Sequence, residues 1–211
     1  MKTKDFLRSD SFKCIVVLLV IALVCGVLLA VANDLFYVSD EELWLRSMEK
    51  VYDGDTSELE SLDISSARTE YTALGSTAVV EEACSAPDGI YLVKSRADRC
   101  GYSDGSLTLW VNLSTASGAP SHINGIVVES YDSSQTLIGS IDADYLAMYS
   151  TAEADTTVAG GGWFTNSRME SGEGPLTEVV ASGATYTSRA VNAAVNGALG
   201  FVRDLLAEEG V

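Results

Sequence analysis

One segment limits how this chain can fold more than any other: the uncharged run from Cys14 to Ala32, CIVVLLVIALVCGVLLAVA. As a helix rising about 1.5 Å per residue, its nineteen residues span roughly 28 Å, close to the hydrocarbon thickness of a bilayer. The pattern predicts a transmembrane helix at 14–32, preceded by a short N-terminus at 1–13 and followed by a body outside the lipid bilayer.

Two other interpretations of this segment stay open. A cleaved signal peptide is compatible with the small residues Ala30 and Ala32, although the run exceeds the usual apolar core of about 7–15 residues. A lipoprotein anchored through Cys25 is less compatible, because Val24 stands where a small residue is expected. The sequence favours the uncleaved anchor.

Charge is divided unevenly between this segment and the rest. The formal net charge is −17, from 13 Lys and Arg against 30 Asp and Glu. Residues 1–33 hold four cations and two acids, a net of +2, so the remainder holds −19. The positive-inside rule then predicts a cytoplasmic N-terminus and an extracytoplasmic body at the cell (inner) membrane. A body this acidic repels phosphate backbones, which excludes nucleic acid as a partner.

The cysteines and the histidine give no sign of a metal centre. The chain has four Cys and one His, with no pair at the spacing of zinc ligands. Cys14 and Cys25 fall in the apolar run and are expected to act as small hydrophobic residues. Cys84 and Cys100 fall in the exported body, where a disulfide can persist, and we expect them to pair.

Apolar periodicity locates the elements of the body. Helical spacing predicts a short amphipathic helix at 41–52, followed by an acidic, serine-rich connector at 53–70. A second short helix is predicted at Asp142–Ser150 and a glycine-rich loop at Thr151–Gly162. The predicted strands are Ile90–Lys94, Ser106–Leu113, Ile123–Ser130 and Leu176–Ala181. Leu107, Leu109, Val111 and Leu113 are expected on one face of the second strand.

These elements predict an α+β fold, a small antiparallel sheet packed with helices and preceded by the transmembrane helix. The membrane-proximal helix and connector take up residues 33–89, and the folded domain takes up 90–211. The clearest helical pattern begins at Thr187, where the hydroxyls of Thr187 and Ser188 are placed to cap a long helix. Its apolar stripe consists of Val191, Ala194, Val195, Ala198, Phe201, Val202, Leu205 and Leu206.

The segment directly before that helix, Ser182-Gly183-Ala184-Thr185-Tyr186-Thr187-Ser188, carries the chemistry. Its small residues let the backbone approach a ligand, and several hydroxyls follow. Because the first amides of a helix lack an intrahelical acceptor and carry partial positive charge, the loop is suited to a phosphate. Arg189, one turn further on, adds positive charge if its side chain turns back. The simpler interpretation is that the hydroxyls only cap the helix.

The sequence SGATYTSRAVNAAVNGAL, residues 182–199, resembles the flavin-attachment segment of the FMN-binding domain family. That family includes the G subunit of the Rnf ion-translocating ferredoxin:NAD+ oxidoreductase and the C subunit of the Na+-translocating NADH:quinone reductase. The resemblance implies FMN held covalently as a phosphoester on Thr185, attached by a separate flavin transferase that uses FAD and releases AMP. It further implies that Ser182, Gly183 and Ala184 shape the turn and that Thr187 hydrogen-bonds the phosphate.

A second stretch, residues 123–150, resembles the family region in which a strand leads into a Glu-Thr-Pro-Gly loop and a short helix. The counterparts here are Gln135, Thr136, Leu137 and Gly139, and the resemblance places the last three near the isoalloxazine ring. This loop lacks the Glu and the Pro and is one residue shorter. In addition, Val179 stands where the family has an acidic residue before the attachment motif.

The resemblance implies a membrane-anchored electron-transfer subunit of an Rnf-type complex, rather than an enzyme on its own. Its partners would be the other membrane and cytoplasmic subunits, the flavin transferase and the lipid bilayer. One alternative is a stand-alone extracytoplasmic carrier of covalent FMN. Another is a non-redox, pilin-like or adhesive surface protein, although the chain lacks the glycine-then-glutamate processing pattern of such proteins.

Overall fold

A computed structural model of the protein describes residues 10–36, 39–98, 105–132, 136–167 and 171–209. The chain divides into two compact units, Met1–Trp44 and Leu45–Val211. Helix α1, Asp10–Phe36, lies in the first unit, and helix α2, Asp40–Val51, begins there and continues into the second. In α1, the stretch Cys14–Asp34 is long and apolar enough to span a membrane.

A six-stranded antiparallel sheet forms the centre of the second unit. Its order is β1-β3-β4-β5-β6, and β2 also pairs with β3. The strands are β1 Glu60–Ser61, β2 Glu70–Ala73, β3 Ser76–Ala86, β4 Ile90–Ala97, β5 Leu107–Ala116 and β6 Ala119–Tyr131. Between β5 and β6 the chain turns at Ser117 and Gly118, both with positive φ (54° and 75°). This left-handed pair matches the twist of a two-residue hairpin.

Three helices and a two-stranded parallel sheet complete this unit. They are α3 Ala143–Ala147, α4 Ala152–Ala159, α5 Thr185–Glu209, β7 Trp163–Thr165 and β8 Leu176–Glu178. Short 3-10 turns lie at Thr56–Glu58, Pro87–Gly89, Ile138–Ser140 and Met148–Ser150. The predicted α+β class with a small antiparallel sheet is confirmed.

Helix α5 packs closely against one face of the sheet. That face carries Leu107, Leu109, Val111 and Leu113, which lie on one side of β5 as predicted and are all fully buried. Two glycines allow this approach. A Cβ added at Gly197 would lie 2.7 Å from the Cβ of Ala78 and 2.8 Å from the Oγ of Ser95. A Cβ at Gly200 would lie 2.5 Å from the Tyr71 ring. The helix axis therefore lies nearer the sheet than any larger side chain would permit.

The opposite face of β5 carries Trp110 and Asn112, which are also buried. The Nδ2 of Asn112 donates a hydrogen bond of 2.8 Å to the carbonyl oxygen of Val51, the last residue of α2. This bond satisfies one of the carbonyls that a helix leaves without an intrahelical donor. The C-terminal end of α2 is thus bound to the back of the sheet, and Met48 and Val51 are buried there.

The structure corrects several boundaries from the sequence analysis. Residues 76–86 form β3, which pairs with β1, β2 and β4. The apolar pattern does not predict this strand, because its many small residues hide the alternation. Residues 152–159 form α4 and not a loop, because the hydroxyl of Thr151 accepts from the Ala154 amide and caps the helix. The predicted strand at 176–181 ends at Glu178.

The start of α5 and the state of Cys84 also differ from what the sequence predicts. The helix begins at Thr185, and the Oγ of Ser188 accepts the Ala181 amide at 2.8 Å, so Ser188 does not cap the helix. Cys84 is a free, buried thiol whose pKa is raised to about 11 by burial. Cys100 lies outside the described residues. Ala97, the last residue of β4, pairs with Ala78 of β3. From Ala78 to Cys84 the strand β3 extends roughly 20 Å, at about 3.3 Å per residue.

We predict that Gly197→Ala lowers the free energy of unfolding by about 1–3 kcal/mol, because the added methyl overlaps Ala78 and Ser95. At an open helix position the same change would stabilise the protein by about 1 kcal/mol. Urea unfolding of the detergent-solubilised chain measures the effect. Gly125→Ala, where no atom lies within 4 Å of an added Cβ, is the control. A Gly197→Ala protein as stable as the wild type would contradict the packing described here.

Candidate functional site

The start of α5 and the segment after β6 meet at a shallow pocket. Its lining residues are Thr136, Leu137, Gly183, Ala184, Thr185, Tyr186 and Thr187. The cavity volume is about 40 Å³, well below the roughly 300–1,000 Å³ of sites that enclose a whole small molecule. The pocket is thus suited to one small group of a ligand, with the rest of that ligand lying on the surface.

A tight turn leads into the helix at this pocket. The Ala184 amide donates to the Ala181 carbonyl at 3.0 Å, which closes the turn, and Gly183 within it has φ of +79°. No atom lies within 4 Å of a Cβ added at Gly183, so the backbone conformation rather than packing calls for glycine. The first hydrogen bond of α5 follows, from the Ser188 amide to the Ala184 carbonyl at 2.9 Å.

The electrostatics of the helix start suit an anion. Backbone amides of the first turn have no acceptor within the helix, and the aligned peptide dipoles give that end a partial positive charge. The first turn contains no acidic residue. Thr185 is exposed, whereas Thr187 is only 4% exposed. A small anionic group at the pocket would therefore meet peptide dipoles and the accessible hydroxyl of Thr185.

The amide side chains of half-buried Asn166 and buried Asn192 support this turn. The Nδ2 of Asn166 donates to the Thr185 carbonyl at 2.6 Å, and its Oδ1 accepts from the Nδ2 of Asn192 at 2.6 Å. The Nδ2 of Asn192 also donates to the Val179 carbonyl at 2.9 Å. Its Oδ1 accepts from the Tyr149 hydroxyl at 2.6 Å. Asn192 thus links Val179, before the turn, to Thr185, the first residue of the helix, through the side chain of Asn166.

Two tyrosines extend this network. The hydroxyls of Tyr145 and Tyr149 lie 3.1 Å apart, within hydrogen-bonding distance. Burial raises the pKa of Tyr149 well above its ordinary value. Tyr149 therefore stays neutral at physiological pH and remains a donor to Asn192. A separate hydrogen bond, in which the Oγ of Ser188 accepts the Ala181 amide, ties the segment before the turn to the first turn of α5.

The pocket brings together most of the residues singled out from the sequence. Those that line it are Thr136, Leu137, Gly183, Ala184, Thr185 and Thr187. Ser182 is exposed within the turn and Gly139 is exposed in the 3-10 turn at Ile138–Ser140, and neither lines the pocket. Gln135 lies outside the described residues.

Sequence reasoning missed Asn166, Asn192 and the position of Tyr186 in the pocket lining. A signal for Asn192 was present, because polar residues at 192 and 196 interrupt the small and apolar face of the last helix. Arg189 does not line this pocket. Its guanidinium carbon lies 6.0 Å from the centroid of the Tyr186 ring, and it borders a separate cavity of about 440 Å³ with Glu70 and Asp98.

Comparison with known proteins adds no assignment. No protein-family model, no curated protein and no solved structure matches this chain. The function is therefore argued from the residues of the pocket and from the two short stretches that resemble a family.

We predict that Asn192→Leu destabilises the protein by about 3 kcal/mol, because it removes the hydrogen bonds that Asn192 makes with the Tyr149 hydroxyl, the Val179 carbonyl and the Asn166 side chain. Asn166→Ala should cost only about 1 kcal/mol, since it removes the outer end of the network. Urea unfolding in detergent ranks the two variants. Equal losses would show that Asn192 is not the centre of the network.

Proposed function

We propose that this protein is a membrane-anchored electron-transfer subunit that carries FMN as a phosphoester on Thr185, within an ion-translocating complex of the Rnf type. The observation that carries the proposal is the pocket. Two stretches distant in sequence resemble the FMN-binding domain family independently, and both contribute to its lining. The exposed Thr185 hydroxyl lies there at the start of α5.

The donor set of the pocket fits the phosphate of FMN. The phosphodiester formed on Thr185 keeps one negative charge, which the helix start stabilises by about 0.3–1 kcal/mol. The small cavity matches a phosphate and not a tricyclic ring, so the ribityl chain would lead the ring out of it. Gly183 leaves open space beside the turn, because nothing lies within 4 Å of its added Cβ.

Attachment requires the Thr185 oxygen to act as a nucleophile. The Oγ of Thr185 forms a bond to the flavin-side phosphorus of FAD while the diphosphate bond to the AMP moiety breaks. AMP leaves, and the hydroxyl proton passes to a base of the transferase. The exposure of Thr185 allows that enzyme to reach it, and Asn166 holds its backbone carbonyl in place.

The bound cofactor supplies the electron-carrying chemistry, and the protein supplies its position and surroundings. Thr136 and Leu137 would lie beside the emerging ribityl chain and ring, since they form the other side of the pocket. A covalent tether suits an extracytoplasmic protein, because FMN that dissociated there would leave the cytoplasmic supply. The helix α1 would anchor the subunit beside its membrane partners.

We predict that the protein made together with its flavin transferase gains the mass of one phosphoester-linked FMN and gives a fluorescent band on a denaturing gel. Thr185→Ala should abolish both signals, because it removes the only proposed nucleophile, whereas Thr185→Ser should keep them. Thr156→Ala, at another exposed threonine, should keep full labelling. Labelling that persists in Thr185→Ala would show that FMN is attached to another residue. Peptides from the native host in which Thr185 is unmodified would contradict the proposal.

We also predict that the chain stays in the membrane fraction after alkaline carbonate extraction, and that protease added to spheroplasts digests residues 45–211 while sparing the N-terminus. The expected topology follows from the cations that precede α1 and the acids that follow it. Release by carbonate would indicate a cleaved signal peptide. Copurification with integral-membrane proteins would distinguish a complex subunit from a stand-alone carrier.

A further inference from the structure

Two exposed, largely apolar side chains border the pocket from opposite stretches of chain. Leu137 is 48% exposed and Tyr186 is 51% exposed, and both line the cavity beside Thr185. Single exposed hydrophobic residues are ordinary on a protein surface. Two that flank one pocket, at a residue proposed to carry a cofactor, instead suggest contact with an apolar part of that cofactor.

The lining of the pocket is also uncharged. None of the residues described as lining it is Asp, Glu, Lys or Arg, although the chain carries a net charge of −17. The isoalloxazine ring of FMN is flat and aromatic, and aromatic rings prefer to stack in offset or edge-to-face arrangements. A neutral surface with one aromatic and one aliphatic side chain suits that ring better than the acidic surface elsewhere.

Covalent attachment would hold the ring close to Tyr186. Thr185 and Tyr186 are neighbours in the first turn of α5, so the ribityl chain would keep the ring within a short distance of the phenol. Such a tether gives a high effective concentration, which makes even a weak stacking contact well populated. The guanidinium carbon of Arg189 lies 6.0 Å from the centroid of the Tyr186 ring, at the outer limit of a cation–π contact.

We propose that Tyr186 stacks on the isoalloxazine ring, beside the Leu137 that the resemblance already places near that ring, and that this aromatic contact sets the ring's orientation and shields it from water. This inference rests on the proposed attachment of FMN to Thr185. Tyr186 contributes an aromatic face next to the attachment point, and Leu137 contributes apolar contact from the segment after β6.

The test compares flavin fluorescence among full-length proteins made with the transferase, each first shown by intact mass to carry one FMN. A stacked phenol quenches flavin fluorescence, so Tyr186→Leu should be several-fold brighter than the wild type. Iodide should quench the flavin more strongly in Tyr186→Leu and in Leu137→Ala, because the ring is less shielded. Tyr186→Phe should restore protection from iodide, since it keeps the aromatic face.

The matched control is Tyr131→Leu, at a tyrosine that is 54% exposed and does not line the pocket. It should leave brightness and iodide quenching at wild-type values. Fully flavinylated Tyr186→Leu with unchanged brightness and unchanged iodide quenching would overturn this inference alone, as would an equal effect of Tyr131→Leu. A wild-type protein without the mass of FMN would overturn both this inference and the proposed function.

Discussion

The packing of α5 against the sheet is the interaction on which the rest of the folded unit depends. Gly197 and Gly200 bring the helix close to Ala78 and Tyr71. Directly before Gly197, Asn196 pairs with the backbone of Phe164 through two hydrogen bonds, accepting from its amide at 2.8 Å and donating to its carbonyl at 2.9 Å. Helix α5 therefore packs on one face of the large sheet and hydrogen-bonds with β7. These contacts fix the position of its first turn. The candidate site is at that first turn.

The site combines a rigid interior with an accessible outer side. Inside, neutral tyrosine and asparagine side chains bond to one another and to the backbone on both sides of the turn. Outside, the Thr185 hydroxyl and the peptide dipoles of α5 meet solvent. Under the proposed function, this arrangement would let a strongly acidic protein receive a phosphate, because dipoles at contact distance act more strongly than distant charges, which salt screens beyond about 8 Å. Covalent attachment would remove the remaining dependence on affinity.

Parts of the fold were predictable from local patterns and parts were not. The strands β4, β5 and β6 were found because large apolar residues alternate along them, and α5 because its stripe repeats at helical spacing. Strand β3 was missed since Ala, Ser, Thr and Cys replace the large residues that would reveal the alternation. The predicted pairing of Cys84 illustrates another limit, because two cysteines in a sequence suggest a pair while the fold decides the burial and the strand register of Cys84.

Alone, the amino-acid sequence determined the membrane-length apolar helix, the antiparallel α+β class and the residues of the turn before α5, because each depends on neighbours along the chain. Only the tertiary structure decided that Thr136 and Leu137 lie against Gly183–Thr187, that Asn192 connects Val179 with Asn166, and that Tyr186 lies beside the pocket. Those contacts arise from the register of the sheet and the depth at which α5 packs on it. Both are set by the fit of many side chains at once, which no short sequence pattern records.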